Sequence, residues 1–90
     1  MTFDEAVAVL RSWCGSPVVV ELAPEESRME GVLSEIDSAG VDGAMFAVDE
    51  EALSGVAIAL FRDSVAGGRL EDDRLEVRQG LVTVTVYLCR

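Results

Sequence analysis

The stretch from Val18 to Asp37 constrains the fold most. It reads VVVEL, a short polar turn APEES, then RMEGVLSEID. The first run is rich in β-branched residues, and Pro24 with Glu25, Glu26 and Ser27 supplies turn chemistry, so the segment predicts a β-hairpin. Strand two, Arg28 to Asp37, carries apolar residues at Met29, Val32, Leu33 and Ile36, which do not alternate strictly. A bend or bulge near Gly31 is expected to absorb that switch of face, because glycine tolerates backbone shapes that a side chain would block.

The hairpin is preceded by a helix with a well-marked start. Thr2 and Glu5 have the S/T-x-x-E spacing of a capping box, and Asp4 and Glu5 suit the positive end of the helix dipole. Phe3, Val7, Leu10 and Cys14 recur at helical spacing beside Ala6, Val9 and Trp13, Gly15 suits the C-terminal cap, and Pro17 stops the helix. A stripe of this kind predicts a helix packed on a sheet rather than one held for a partner. After the hairpin, Ala44 to Val48 reads as a third strand and Asp49 to Gly55 as an acidic connection. Val56 to Phe61 is apolar on both faces, which places it in the core or at a subunit contact. Ser64 to Gly68 reads as a loop, with Gly67-Gly68 able to turn tightly. Arg74 to Arg78 alternates, Gln79-Gly80 turns the chain, and Val82 to Leu88 is the clearest strand. The expectation is therefore one domain over residues 1–90. It is mainly β, with a helix over 1–15 and a small, strongly bent antiparallel barrel of five or six strands over 17–90.

Composition limits the chemistry. Ninety residues, half of them apolar, suffice for one small core. Seventeen acidic residues face seven basic ones, all arginine, so the formal net charge is −10. Arg62, Arg69, Arg74 and Arg78 are interleaved with acids, and such a balance argues against a phosphate-backbone partner. No apolar run approaches the roughly 20 residues of a membrane span, and the acidic start is unlike a signal peptide, so a bacterial cytoplasm is the expected location. The absence of histidine removes the commonest general base and metal ligand, and no phosphate-gripping glycine loop is present. Asp49-Glu50-Glu51 and Glu71-Asp72-Asp73 lack the spacing of a calcium loop. Cys14 and Cys89 lack metal-ligand spacing and are expected as buried free thiols at a helix end and a strand end, with a disulfide between the ends of the domain as the alternative. No catalytic residue, cofactor or metal site is expected.

The order of elements resembles the Sm-like fold, whose members are RNA-associated ring proteins. Gly31, Leu33 and Asp37 fall on the Gly-x-Leu-x-x-x-Asp pattern of that family's first motif. Val77-Arg78-Gln79-Gly80, leading into LVTVTVYL, is a loose match to the second, with one residue inserted. The resemblance implies a bent barrel of the Sm-like or SH3-like kind and a nucleic-acid contact at Arg78. Residues 38–43 contain neither the asparagine nor the aromatic that hold a stacked base in the family. The leading expectation is thus a non-enzymatic barrel acting through protein contacts, as a homo-oligomer. The alternatives are an Sm-like RNA binder using Arg78, and a small ligand-binding or enzymatic domain with a pocket between helix and barrel.

Overall fold

The computed structural model describes residues 1–36, 42–50 and 53–89, with the backbone alone described at 49–50 and 53–57. It contains helix α1 (Phe3–Trp13) and seven strands: β1 (Pro17–Ala23), β2 (Ser27–Ile36), β3 (Gly43–Glu50), β4 (Leu53–Phe61), β5 (Val65–Glu71), β6 (Arg74–Gln79) and β7 (Val82–Leu88). All are paired antiparallel in one sheet of order β4-β3-β2-β1-β7-β6-β5.

The helix starts as its capping signature predicts. The Glu5 amide donates to the Thr2 hydroxyl at 3.2 Å, and the Thr2 amide donates to the Glu5 carboxylate at 3.1 Å. The cap at the far end is Cys14, with Gly15 following at φ 89°, a left-handed conformation that suits glycine. There the chain is fastened to β2: the Gly15 amide donates to the Leu33 carbonyl at 2.7 Å and the Leu33 amide to the Ser16 carbonyl at 3.1 Å. The stripe Phe3, Ala6, Val7, Leu10 and Trp13 is buried. It packs across β2, β5 and β6 and joins the core formed by inward residues of the strands.

Strand β2 serves two ladders. Its first half pairs with β1 (Val18↔Gly31, Val20↔Met29) and its second half with β3 (Leu33↔Val48, Glu35↔Phe46), and Val32 belongs to both. The register runs through Gly31 without a shift, so the expected bulge is absent. Met29 and Leu33 are buried, whereas Val32 and Ile36 lie on the opposite, outer face and are exposed. Period-two alternation is kept, and what looked like a switch of core face is an apolar outer face.

Seven strands form, against the five or six expected. The additional one is β5, within which Gly67-Gly68 lies as strand rather than turn. A Cβ at Gly68 would meet the Glu76 carbonyl oxygen at 2.4 Å, so the two backbones approach more closely there than a side chain allows. The reversal falls instead at Asp72-Asp73, with Asp72 at φ 50°. Ala66 is an extra residue opposite β6, between the pairs Val65↔Gln79 and Gly67↔Arg78. The acidic connection expected at Asp49 to Gly55 is largely strand, since β3 reaches Glu50 and β4 begins at Leu53. Val56 to Phe61 belongs to β4, which ends the sheet and is not central. Asp37 and most of the 38–43 loop lie outside the described residues.

The sheet curls but its ladder does not close, because β4 and β5 are its two ends. In a flat sheet β4 and β6, five places apart, would be separated by about 24 Å at the usual strand spacing. Yet the Phe61 amide donates to the Gln79 side-chain oxygen at 2.7 Å, and Gln79 Nε2 donates to the Ala59 carbonyl at 2.9 Å. The ends are therefore brought together, and one amide side chain stands in for a missing ladder rung at the seam. Gln79→Leu is expected to cost about 1–2 kcal/mol, the net worth of two such bonds, in urea denaturation. Wild-type stability in that variant would show the seam to be held by packing alone.

Candidate interaction surface

Alternation divides the described strand residues between the core and the outer face, and the outer face has two unlike halves. Over β1, β7, β6, β5 and the first half of β2 it carries Glu21, Arg28, Glu30, Arg69, Glu71, Arg74, Glu76 and Arg78, with Thr85 buried between Glu21 and Glu76. The charges are largely paired: Arg28–Glu30 at 3.0 Å, Arg69–Glu71 at 2.6 Å and Arg74–Glu76 at 3.2 Å. Arg74 also lies 5.9 Å from the Tyr87 ring centre. Over the second half of β2 with β3 and β4, the described outer residues are Val32, Ser34, Ile36, Gly43, Met45, Ala47, Ala59 and Phe61. None is charged. Val32 is 44% exposed, Ile36 39% and Phe61 45%. Ile36, Met45 and Ala59 lie opposite one another in one row across the three strands.

One end of this apolar half is bounded by an ionic cluster. Arg62, just beyond β4, forms a two-pronged bond to Asp4 at 2.8 and 3.0 Å and reaches Asp42 at 3.0 Å. Its guanidinium lies 4.7 Å from the Phe3 ring centre. The bond from Arg62 holds the Asp4 carboxyl below its ordinary range, and Asp4 followed by Asp42 raises Arg62. This cluster ties the helix start to the end of β4, which makes it structural. Sequence reading grouped Arg62 with the other interleaved arginines and gave no sign of the role, because its partners are 58 and 20 residues away.

Arg78 is exposed on the outer face of β6, opposite Gly67 and Thr83. A Cβ at Gly67 would meet its Nη2 at 2.9 Å, so the guanidinium lies across that glycine. Five of the six described arginines have a carboxylate partner, and Arg78 is the one for which none is found among the described residues. Gly31 and Leu33, the described part of the first motif, serve the β2 ladders, and Leu33 is fully buried.

An open cavity of about 310 Å³ lies at the β1–β2 turn, lined by Glu21, Leu22, Ala23 and Glu26 to Arg28 with Thr85. It is on the hairpin and not between helix and sheet, where the alternative reading expected a pocket. Among the described residues no three metal-binding side chains converge. Cys14 and Cys89 are free thiols; Cys14 is half-buried, and burial pushes its thiol up, whereas Cys89 is exposed, because it follows the end of β7, and not buried as expected. No described helix is long and apolar enough to cross a membrane. Leu81, at the tip of the β6–β7 turn, is 95% exposed.

No protein-family model matches the chain, and neither a curated protein nor a solved structure matches it.

Proposed function

We propose that this chain is a non-catalytic, curled-sheet domain that acts through protein contacts and assembles as a homo-oligomer. The division of the outer face carries this reading. Soluble monomers usually scatter their exposed apolar residues singly, whereas here Val32, Ile36, Met45 and Phe61 share one half of a face. The ends of the sheet, β4 and β5, are joined by no ladder, and outside the stretch of β4 that Gln79 holds at the seam they offer a second route to assembly through edge-to-edge strand pairing. Light scattering across a concentration series is expected to give a mass above the 9.6 kDa of one chain. A constant monomer mass at the highest concentration overturns the reading.

A second reading, RNA binding in the Sm-like manner, is favoured by one observation: the exposed guanidinium of Arg78 without a carboxylate partner among the described residues. It predicts RNA binding at low salt that weakens as salt rises and that Arg78→Ala reduces. Absence of binding to single-stranded RNA at low salt removes it. The net charge of −10 is the reason it ranks second.

A further inference from the structure

We infer that the open cavity at the β1–β2 turn binds an organic cation, an ammonium or guanidinium group on a short carbon stem, held between the Glu21 and Glu26 carboxylates and the hydroxyl of Thr85. This goes beyond the protein-contact reading above and does not depend on it.

Thr85 is the residue that points to a ligand. It is 8% exposed, it lines the cavity, and its hydroxyl has no hydrogen-bond partner among the described residues. Buried hydroxyls are nearly always satisfied, and the cavity is the side from which a donor can reach this one. Charge says what kind of donor. The cross-strand neighbours of Thr85 are Glu21 on β1 and Glu76 on β6. Glu76 is bonded to Arg74 at 3.2 Å. Arg28 stands opposite Glu21 but is bonded to Glu30 at 3.0 Å. Glu21 and Glu26 thus have no ion-pair partner among the described residues. The lining carries two unmatched carboxylates and one matched guanidinium, in a chain of net charge −10, so it draws cations and repels anions. An ammonium has three N–H donors and no acceptor, which suits two carboxylates and a hydroxyl oxygen. A calcium ion needs about six to eight oxygens, and among the described residues no three metal-binding side chains converge, so the cation is organic. Leu22 and Ala23 line the cavity beside the carboxylates, and its volume of about 310 Å³ is at the low end for small-molecule sites, which limits the stem to a few carbons. Because the cavity is open, binding is weak, with a Kd of about 1 mM.

The test is an amide NMR titration of the full chain with n-butylammonium chloride, with α-N-acetyl-lysine methylamide and, as the neutral counterpart, with n-butanol. Both cations are expected to give saturable shifts at Glu21 to Arg28 and at Thr85, and butanol none. Glu21→Gln is expected to weaken cation binding by about fivefold or more, and Thr85→Val by about threefold, the worth of one hydrogen bond. Thr85→Val keeps the β-branched shape and the charge, so its effect separates a built site from general attraction to an acidic surface. Glu71→Gln, the same change of charge on β5, is expected to leave binding unchanged. Should Thr85→Val fail to fold by circular dichroism, Glu21→Gln against Glu71→Gln decides, because both positions are exposed. Tighter binding of the lysine amide than of butylammonium assigns the site to a side chain of a partner protein, and the reverse order assigns it to a free amine. Absence of saturable shifts with both cations overturns the inference. So does equal weakening by Glu21→Gln and Glu71→Gln with none in folded Thr85→Val, or binding of butanol as tight as that of butylammonium.

Discussion

Phe46→Ala is expected to destabilise the chain by about 3–5 kcal/mol, the usual cost of emptying an aromatic site in a core. Phe46 lies in β3 between Glu35 of β2 and Ile58 of β4, and none of its surface is exposed. It heads the fully buried side chains by size, alongside Leu10, Leu33, Leu60 and Leu75. Truncation leaves a void bordered by two ladders that cannot both collapse into it. A chain of ninety residues has a total stability of about 5–13 kcal/mol at the usual allowance per residue, so the loss is a large share of the whole. Phe61 provides the contrast within the same sheet. It is 45% exposed on the outer face, and Phe61→Ala is expected to cost about 1 kcal/mol or less. Urea denaturation of the two variants at one protein concentration separates buried from exposed phenylalanine. Equal midpoints would contradict the assignment of inner and outer faces.

That assignment was only half legible in the sequence, and the reason is physical. The capping box at Thr2 and Glu5, the helix stripe, the hairpin and the strands flanking Gln79-Gly80 all follow from local chemistry, and each forms where local rules put it. Adjacent Val32 and Leu33 were ambiguous because an apolar residue is expected inside. With Met29 and Leu33 held inward, strict alternation already sends Val32 and Ile36 outward, so the apolar outer face had a signal that a bend at Gly31 explained away. Gln79 gave no such signal. Its bonds to Phe61 and Ala59 exist because the sheet curls through five strand spacings, a property of all seven strands together. The ionic cluster around Arg62 is hidden for the same reason, since it joins the helix start to the end of β4. Strand β5 was hidden because glycine pairs ordinarily mark turns, and local propensity does not report a close approach between strands.

The glycine pair in β5 allows a sharp test of that close approach, since its two members should respond differently to the same substitution. At Gly68 an added Cβ meets the Glu76 carbonyl oxygen at 2.4 Å and the Val77 Cα at 3.3 Å. Both are backbone atoms of the paired strand, so neither can swing aside. Gly68→Ala must shift β5 away from β6, and overpacking of this kind costs about 1–3 kcal/mol or more. At Gly67 the first obstacle is Arg78 Nη2 at 2.9 Å, the far end of a flexible and exposed side chain. Gly67→Ala should therefore displace the guanidinium and leave the ladder in place, at well under 1 kcal/mol. Because β5 ends the sheet, the Gly68→Ala strain should be relieved locally. Amide exchange is expected to quicken across Val65–Glu71 and the facing amides of β6, while the β1–β2 ladder keeps its protection. Gly67→Ala should leave both ladders protected. If the two variants prove equally stable, with unchanged exchange in β5, then β5 and β6 do not approach as closely as the glycines indicate, and Gly67-Gly68 would revert to the turn that local propensity suggests.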